Sequence, residues 1–152
     1  MRISPASNSR PICTMYLVDT DVISEMRKGS DANAGVRSFF RGVIREERDL
    51  YLSAITLGEI RRGVERVRQR GDTRQALRLE HWLERVVAEF AESILPFDAQ
   101  IAQVWGRLRV PNPENPLDKQ IAATALLHDL TVVTRNIAHF GATGVRHLNP
   151  FT

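Results

Sequence analysis

The sequence predicts an α/β fold: a central, mostly parallel sheet of about four or five strands, covered by helices on both faces, with a protruding helical hairpin. Three observations carry that expectation. Short apolar runs rich in β-branched residues alternate with longer stretches of helical periodicity. Several of those runs end at or just before an acid that opens the next helical stretch. Two long amphipathic stretches follow one another with only the Gly71-Asp72 break between them. A chain of 152 residues that is 43% hydrophobic has the apolar inventory for one core, so a single domain over 15–152 is expected.

Residues 1–14 are polar, contain Pro5 and Pro11 and lack the apolar segment of a secretory signal. They read as a flexible tail or start-site extension, with Met15 directly before the first strand; the alternative is an ordered arm packed on a partner. The first strand runs into Leu17-Val18-Asp19 and is followed by a short helix, Val22 to Met26, that ends at Gly29. A second helix is expected from about Ala34 to Arg48, and a second strand from Leu50 to Ser53. From Ser53 onward Ile55, Thr56, Leu57, Ile60, Val64 and Val67 fall near one helical face; Asp72 opens another helix with the stripe Ala76, Leu79, Leu83, Val86, Val87 and Phe90. These two make the hairpin. Ile94-Leu95 is a short third strand, and Ile101, Val104, Trp105 and Leu108 mark a helix starting near Asp98. Pro111, Pro113 and Pro116 stiffen the loop before an alanine-rich helix from about Leu117 to Asp129. Thr131 to Thr134 reads as the fourth strand and Val145 to Leu148 as the last. Strands separated by helices of this length pair in parallel through right-handed crossovers.

The net charge is +3, and of the 21 basic residues all but Lys28 and Lys119 are arginine. That balance permits a polyanionic partner, nucleic acid first, because the guanidinium fork matches phosphate geometry; codon bias is the competing explanation. Cys13 is the only cysteine, which excludes an intramolecular disulfide and a cysteine-based zinc site and fits a reducing cytosol. No run reaches the roughly 18 consecutive apolar residues that a membrane-spanning helix needs.

Four acids follow strand tips or open helices: Asp19, Glu59, Asp98 and Asp118. In open α/β sheets ligands bind beyond the carboxyl ends of the strands, where these acids are expected to meet. Asp at a helix start is also a common cap, and that reading competes for Asp98 and Asp118. Ile101, Ala102 and Trp105 follow Asp98, and Ile121, Ala122 and Ala125 follow Asp118, at three, four and seven residues, so both acids are expected to begin the buried stripe of their helices. Glu59 either sits at the edge of a buried face or pairs with Arg62 or Arg66 on a wet one. Asp21 reads best as a cap of the first helix, with a supporting place beside the site acids as the alternative. Carboxylates crowded at one sheet end must protonate, separate or bind a cation. With oxygen donors dominant, the cation is hard, Mg²⁺ or Mn²⁺, and the natural chemistry is metal-assisted phosphodiester hydrolysis.

The stretches LVDTDVISE at 17–25, LYLSAITLGEIRRGVE at 50–65, ILPFDAQIAQVW at 94–105, LDKQIAATALLHDLTVVTRN at 117–136 and LNPF at 148–151 together resemble the PIN-domain nucleases, and within them the VapC and FitB-like toxins. The resemblance covers nearly all of 15–152. It implies a cytoplasmic, Mg²⁺- or Mn²⁺-dependent ribonuclease, the toxin of a toxin–antitoxin pair, homodimeric and neutralised by a small DNA-binding antitoxin. Carried over, Asp19, Glu59 and Asp118 correspond to the metal-site acids, Asp98 to an acid typical of the FitB-like branch, and Thr20 and Thr134 to supporting hydroxyls. Relatives tend to carry an acid at the place of Asn136 or His139, and neither is acidic here. Asn136 is left to orient a water or ligate weakly; His139 is a ligand, a general acid or a satisfied surface histidine. Arginines 61, 62, 66, 68, 70, 74 and 78 surround the predicted hairpin, where they either guide RNA or form a solvated face. Two other functions remain open: an inactive PIN-like module that binds RNA or its partner, and a haloacid-dehalogenase-type phosphatase, whose paired aspartates Asp19-Thr20-Asp21 imitate.

Overall fold

The computed structural model describes residues 14–152, so the expected tail lies, except for Thr14, outside the described residues. Its strands are β1 (Tyr16–Val18), β2 (Leu50–Ser53), β3 (Ile94–Leu95), β4 (Thr131–Val133) and β5 (His147–Leu148). They form one sheet in the order β3-β2-β1-β4-β5, and every neighbouring pair is parallel. The central strand β1 aligns Tyr16 with Leu50 on one side and with Thr131 on the other. The chain builds outward from β1 through β2 to β3, then returns to the opposite side of β1 for β4 and β5. The order therefore reverses between β1 and β4, and their carboxyl ends open a crevice at that switch point.

Both faces are covered, as alternation along the strands requires. Val18 and Val133 point into one core with Val22, Val36, Phe40, Ile60, Val64, Leu83 and Val86, which come from α1 (Thr20–Met26), α2 (Ala34–Arg45), α3 (Ala54–Gln69) and α4 (Thr73–Glu89). Leu17 and Val132 point into the other, against Ile121, Ala122 and Ala125 of α6 (Pro116–His128); Leu108 of α5 (Ala99–Leu108) packs at its margin. Alanines at 122, 123 and 125 let α6 lie close on the sheet. The hairpin is α3 with α4, capped by Ser53 and Asp72 side chains that accept from the N–H groups of Ile55 and Gln75.

Three local expectations need correction. The cap of α1 is Asp19, not Asp21: the Asp19 side chain accepts from the Thr20 N–H, and Asp21 lies in the first turn. Helix α2 stops at Arg45 rather than Arg48, because Glu47 takes a left-handed φ of 53° and the Arg48 N–H turns back to Val43 O at 3.0 Å. Val87 of the α4 stripe is exposed. Between β4 and β5 the chain forms two 3₁₀ turns, Ile137–His139 and Gly141–Thr143, too short for periodicity to reveal. The chain end folds back on α2: Asn33 Oδ1 accepts from the N–H groups of Gly35, Val36 and Thr152, and Asn33 Nδ2 donates to Thr152 O at 3.0 Å. Among the described residues no helix is long and apolar enough to cross a membrane.

Candidate active site

A cavity of about 350 Å³ opens at the switch point and is lined by Asp19, Thr20, Asp21, Glu59, Asp118 and Asn136, with Arg62, Gly63 and Arg66 from α3 and apolar walls from Ile55, Leu117 and Ile121. Asp19 is delivered by the end of β1. Its side chain is held on both oxygens: Oδ1 accepts from the Thr20 N–H at 2.8 Å, and Oδ2 accepts from Thr134 Oγ1 at 2.8 Å, across the gap between β1 and β4. Thr134 in turn accepts from the Asn136 N–H at 3.0 Å, so one hydroxyl ties the two strand tips and the following loop together.

Asp19 is only 6% exposed. Burial, and then the neighbouring charge of Asp21, push its carboxyl up to about 6 from 3.8; the bonds from Thr134 and Thr20 oppose the shift, and Asp118 adds to it. Asp21 is raised as well, first by burial, against the stabilising bond that its Oδ2 accepts from the Arg135 N–H at 3.1 Å. Its Oδ1 is buried and has no hydrogen-bond partner among the described residues. Asp118, in the first turn of α6, has its Oδ2 2.6 Å from His139 Nδ1. Glu59, about one turn into α3, has Oε2 3.8 Å from an Arg62 nitrogen.

Most of the expected residues are thus brought together: Asp19, Glu59, Asp118, Thr20, Asp21 and Asn136 line the cavity, while Thr134 and His139 each hold one of its acids. Asp98 is the exception. It is exposed, it caps α5 by accepting from the Ile101 N–H at 3.0 Å, and it follows the edge strand β3, two strands away from β1. The expectation that it begins a buried stripe fails because a cap residue stands outside the helix and does not share its facing. Arg62 and Arg66, expected either in a solvated or RNA-guiding arginine set or as partners of Glu59, line the cavity beside it; their spacing from Glu59, three and seven residues, is the signal that they share its face.

The donor set suits a hard cation. Every cavity acid offers oxygen, Asp21 Oδ1 is an acceptor without a donor, and the charge on buried Asp19 calls for a counter-ion. Among the described residues no three His, Cys, Asp or Glu groups form a preassembled cage. Mg²⁺ does not need such a cage, because it keeps several waters and is held by one or two carboxylates plus substrate phosphate.

Fold and site together define an α/β protein with a carboxylate-lined crevice at the switch point of a parallel sheet. The chain belongs to the PIN-domain family, whose profile matches residues 16–143. It is 37% identical over 142 residues to Toxin FitB of Neisseria gonorrhoeae, covering 90% of this chain and 99% of that one. It is 30% identical over 142 residues to VapC ribonuclease Y4jK of Sinorhizobium fredii, covering 90% and 98%. Among solved structures, FitAB bound to an IR36 DNA fragment is similar with a TM-score of 0.74 and 34% identity, covering 91% of this chain and 96% of that one.

Proposed function

We propose that the protein is a Mg²⁺- or Mn²⁺-dependent endoribonuclease, the toxin of a toxin–antitoxin pair. The observation that carries this is Asp19: a buried carboxylate, fixed on both oxygens at the tip of the central strand, sharing a cavity with Asp118, Glu59 and two arginines. In this reading Asp19, Asp118 and Glu59 hold the ion. Mg²⁺ or Mn²⁺ bound there would supply Lewis-acid polarisation of the phosphodiester and a water of lowered pKa for in-line attack.

The chain's own groups do the rest. Thr134 Oγ1 and the Thr20 N–H keep Asp19 in one orientation. His139 Nδ1, at 2.6 Å, fixes Asp118 through Oδ2. Arg62 and Arg66, on the α3 wall of the cavity, bind phosphate oxygens of the RNA. Asp21 Oδ1, unpartnered among the described residues, accepts a hydrogen from a water in the crevice, and Asn136, also on the cavity lining, orients a water. The relatives named as a toxin and a VapC ribonuclease support the toxin and ribonuclease reading, and the DNA-bound FitAB structure supports a DNA-binding antitoxin as partner; in this reading the toxin itself is a homodimer.

The test is cleavage of a structured RNA by the purified, partner-free protein. Cutting in Mg²⁺ or Mn²⁺, none in chelator, and none by folded Asp19→Asn is the expected result; equal cleavage by that variant would falsify the assignment. Metal-independent RNA binding with no cutting would favour an inactive module, a reading the non-acidic Asn136 and His139 motivate. Release of phosphate from a small phosphomonoester, with RNA untouched, would favour a phosphatase.

A further inference from the structure

The first turn of α6 borders two cavities. Asp118 lines the one described above; the next residue, Lys119, lines another of about 220 Å³, together with Arg107, Asn112, Glu114, Asn115 and His139. His139 joins the two, because its ring lines the second cavity while its Nδ1 holds Asp118 Oδ2 at 2.6 Å.

Lys119 is unusual in this chain. It is one of only two lysines, and it is 4% exposed. An ammonium carries three donors, yet its only polar partner among the described residues is the backbone oxygen of Asn112. A buried charge with one neutral acceptor and no counter-ion among the described residues is costly, and an anion in the cavity would offset that cost. Arg107, exposed on α5, has no carboxylate partner among the described residues either. Glu114 is the single acid on the lining, and it is exposed.

We propose that this second cavity is a phosphate site, taking a backbone phosphate of the RNA neighbouring the one cleaved at Asp19 and Asp118, with Lys119 as the buried anchor and Arg107 as the outer contact. The proposal rests on the nuclease reading for its choice of RNA, but its chemistry is that of any phosphate oxygen. A single strand running past His139 would place one phosphate over the acids and the adjoining one over Lys119. Each cation that neutralises a phosphate releases a counter-ion, so occupancy is visible in the salt dependence of binding.

The experiment measures anisotropy of a labelled single-stranded RNA with the full chain in chelator across a salt series, and thermal melting with and without inorganic phosphate. Lys119→Met is expected to weaken RNA binding about tenfold and to lower the salt slope by about one charge. Its melting temperature should be unchanged or higher, since a desolvated charge is removed and water can replace the donor at exposed Asn112 O. Arg107→Ala, an exposed change that cannot unfold the protein, should lower the slope similarly; it decides the matter if Lys119→Met fails to fold. Unaltered affinity and slope in both variants overturn the proposal. So does a wild-type melting shift with inorganic phosphate that Lys119→Met loses while RNA affinity stays the same, since the site then serves a free phosphate. Binding in chelator keeps this separate from catalysis: RNA held through Lys119 but never cut in Mn²⁺ sinks the nuclease reading and leaves the phosphate site standing.

Discussion

Replacing Asp19 with asparagine should make the metal-free protein more stable at neutral pH. Burial and Asp21 hold the folded carboxyl at about 6 against 3.8, so ionising it at pH 7 costs about 3 kcal/mol relative to the unfolded chain. The sign follows from the direction. A raised acid keeps its proton longer in the folded state, so stability falls as pH rises from about 4 to about 6, and the cost is full above that window and absent below it. Asparagine removes the charge but also disturbs a bond. Its oxygen can still accept from the Thr20 N–H, whereas its amide meets Thr134 Oγ1, which now donates to Asp19 Oδ2 and accepts from the Asn136 N–H. Losing one such bond costs about 1 kcal/mol, leaving a net gain of about 2 kcal/mol. For a domain of this size that is a rise of about 4–8 °C in Tm. Melting curves in chelator at pH 7.5 should show the gain, and at pH 4 the variant should be no more stable than the wild type. Mn²⁺ should raise the Tm of the wild type and leave the variant unmoved. A variant equally destabilised at both pH values would refute the claim that Asp19 carries an uncompensated charge.

Other perturbations separate the roles assigned to neighbouring residues. His139→Ala should weaken Mn²⁺ binding by at least about tenfold while leaving the fold intact, and His139→Asn, which keeps a donor near Asp118 Oδ2, should recover part of it; a Mn²⁺ titration in which all three bind alike rejects the orienting role. Asp98→Ala should cost about 1 kcal/mol through loss of the α5 cap and leave RNA cleavage at the wild-type rate; a collapse of activity in a folded Asp98→Ala protein would return that acid to the site. Gly35→Ala would place its Cβ 2.1 Å from Pro150 O and 2.6 Å from Thr152 Cγ2, displacing the chain end from α2. A loss of about 1–3 kcal/mol in denaturant unfolding is expected, and an unchanged midpoint would mean the chain end is not packed there.

Much of this was legible because strand tips and helix starts are local signals. Asp19 follows a β-branched run, and once β1 is central its carboxylate must stand at the switch point; Asp118 and Glu59 reach the same place because their helices pack beside that crevice. What was not legible depends on distance in space rather than in sequence. The Asp98 pattern resembles that of Asp118 at the third and fourth following positions, and what separates a cap from a site acid is the strand order, with β3 at the edge, together with the place of each acid in its helix, Asp98 before the first turn and Asp118 within it. Asp21 was misread for the opposite reason. Its sequence context suits a cap, but Asp19 already occupies that position, which turns Asp21 into the first turn and towards the cavity. The His139 to Asp118 contact links residues 21 apart through a 3₁₀ turn that has no periodic signature.

The arginine-rich hairpin shows how one helix can serve two purposes that composition alone confounds. On α3, residues 59, 62, 63 and 66 line the cavity, while Arg61 and Arg68 pair with Glu65 on the same helix and with Glu80 on α4. The first set follows the three- and four-residue steps of one face and the second set those of another. Arg61 and Arg68 are thereby committed to carboxylates, and both guanidinium groups are pushed up by those bonds. They are not free to meet a phosphate. These pairs are well exposed and add little to stability; their effect is to set how α3 lies against α4, and hence where its other face stands. Arg62 and Arg66, without a close carboxylate beyond Glu59 at 3.8 Å, keep their donors for the crevice. Arginine suits both tasks because its planar fork serves a carboxylate and a phosphate equally well. On the proposed reading, the difference between scaffold and substrate contact therefore lies in the 100° turn between adjacent helical positions, not in residue type.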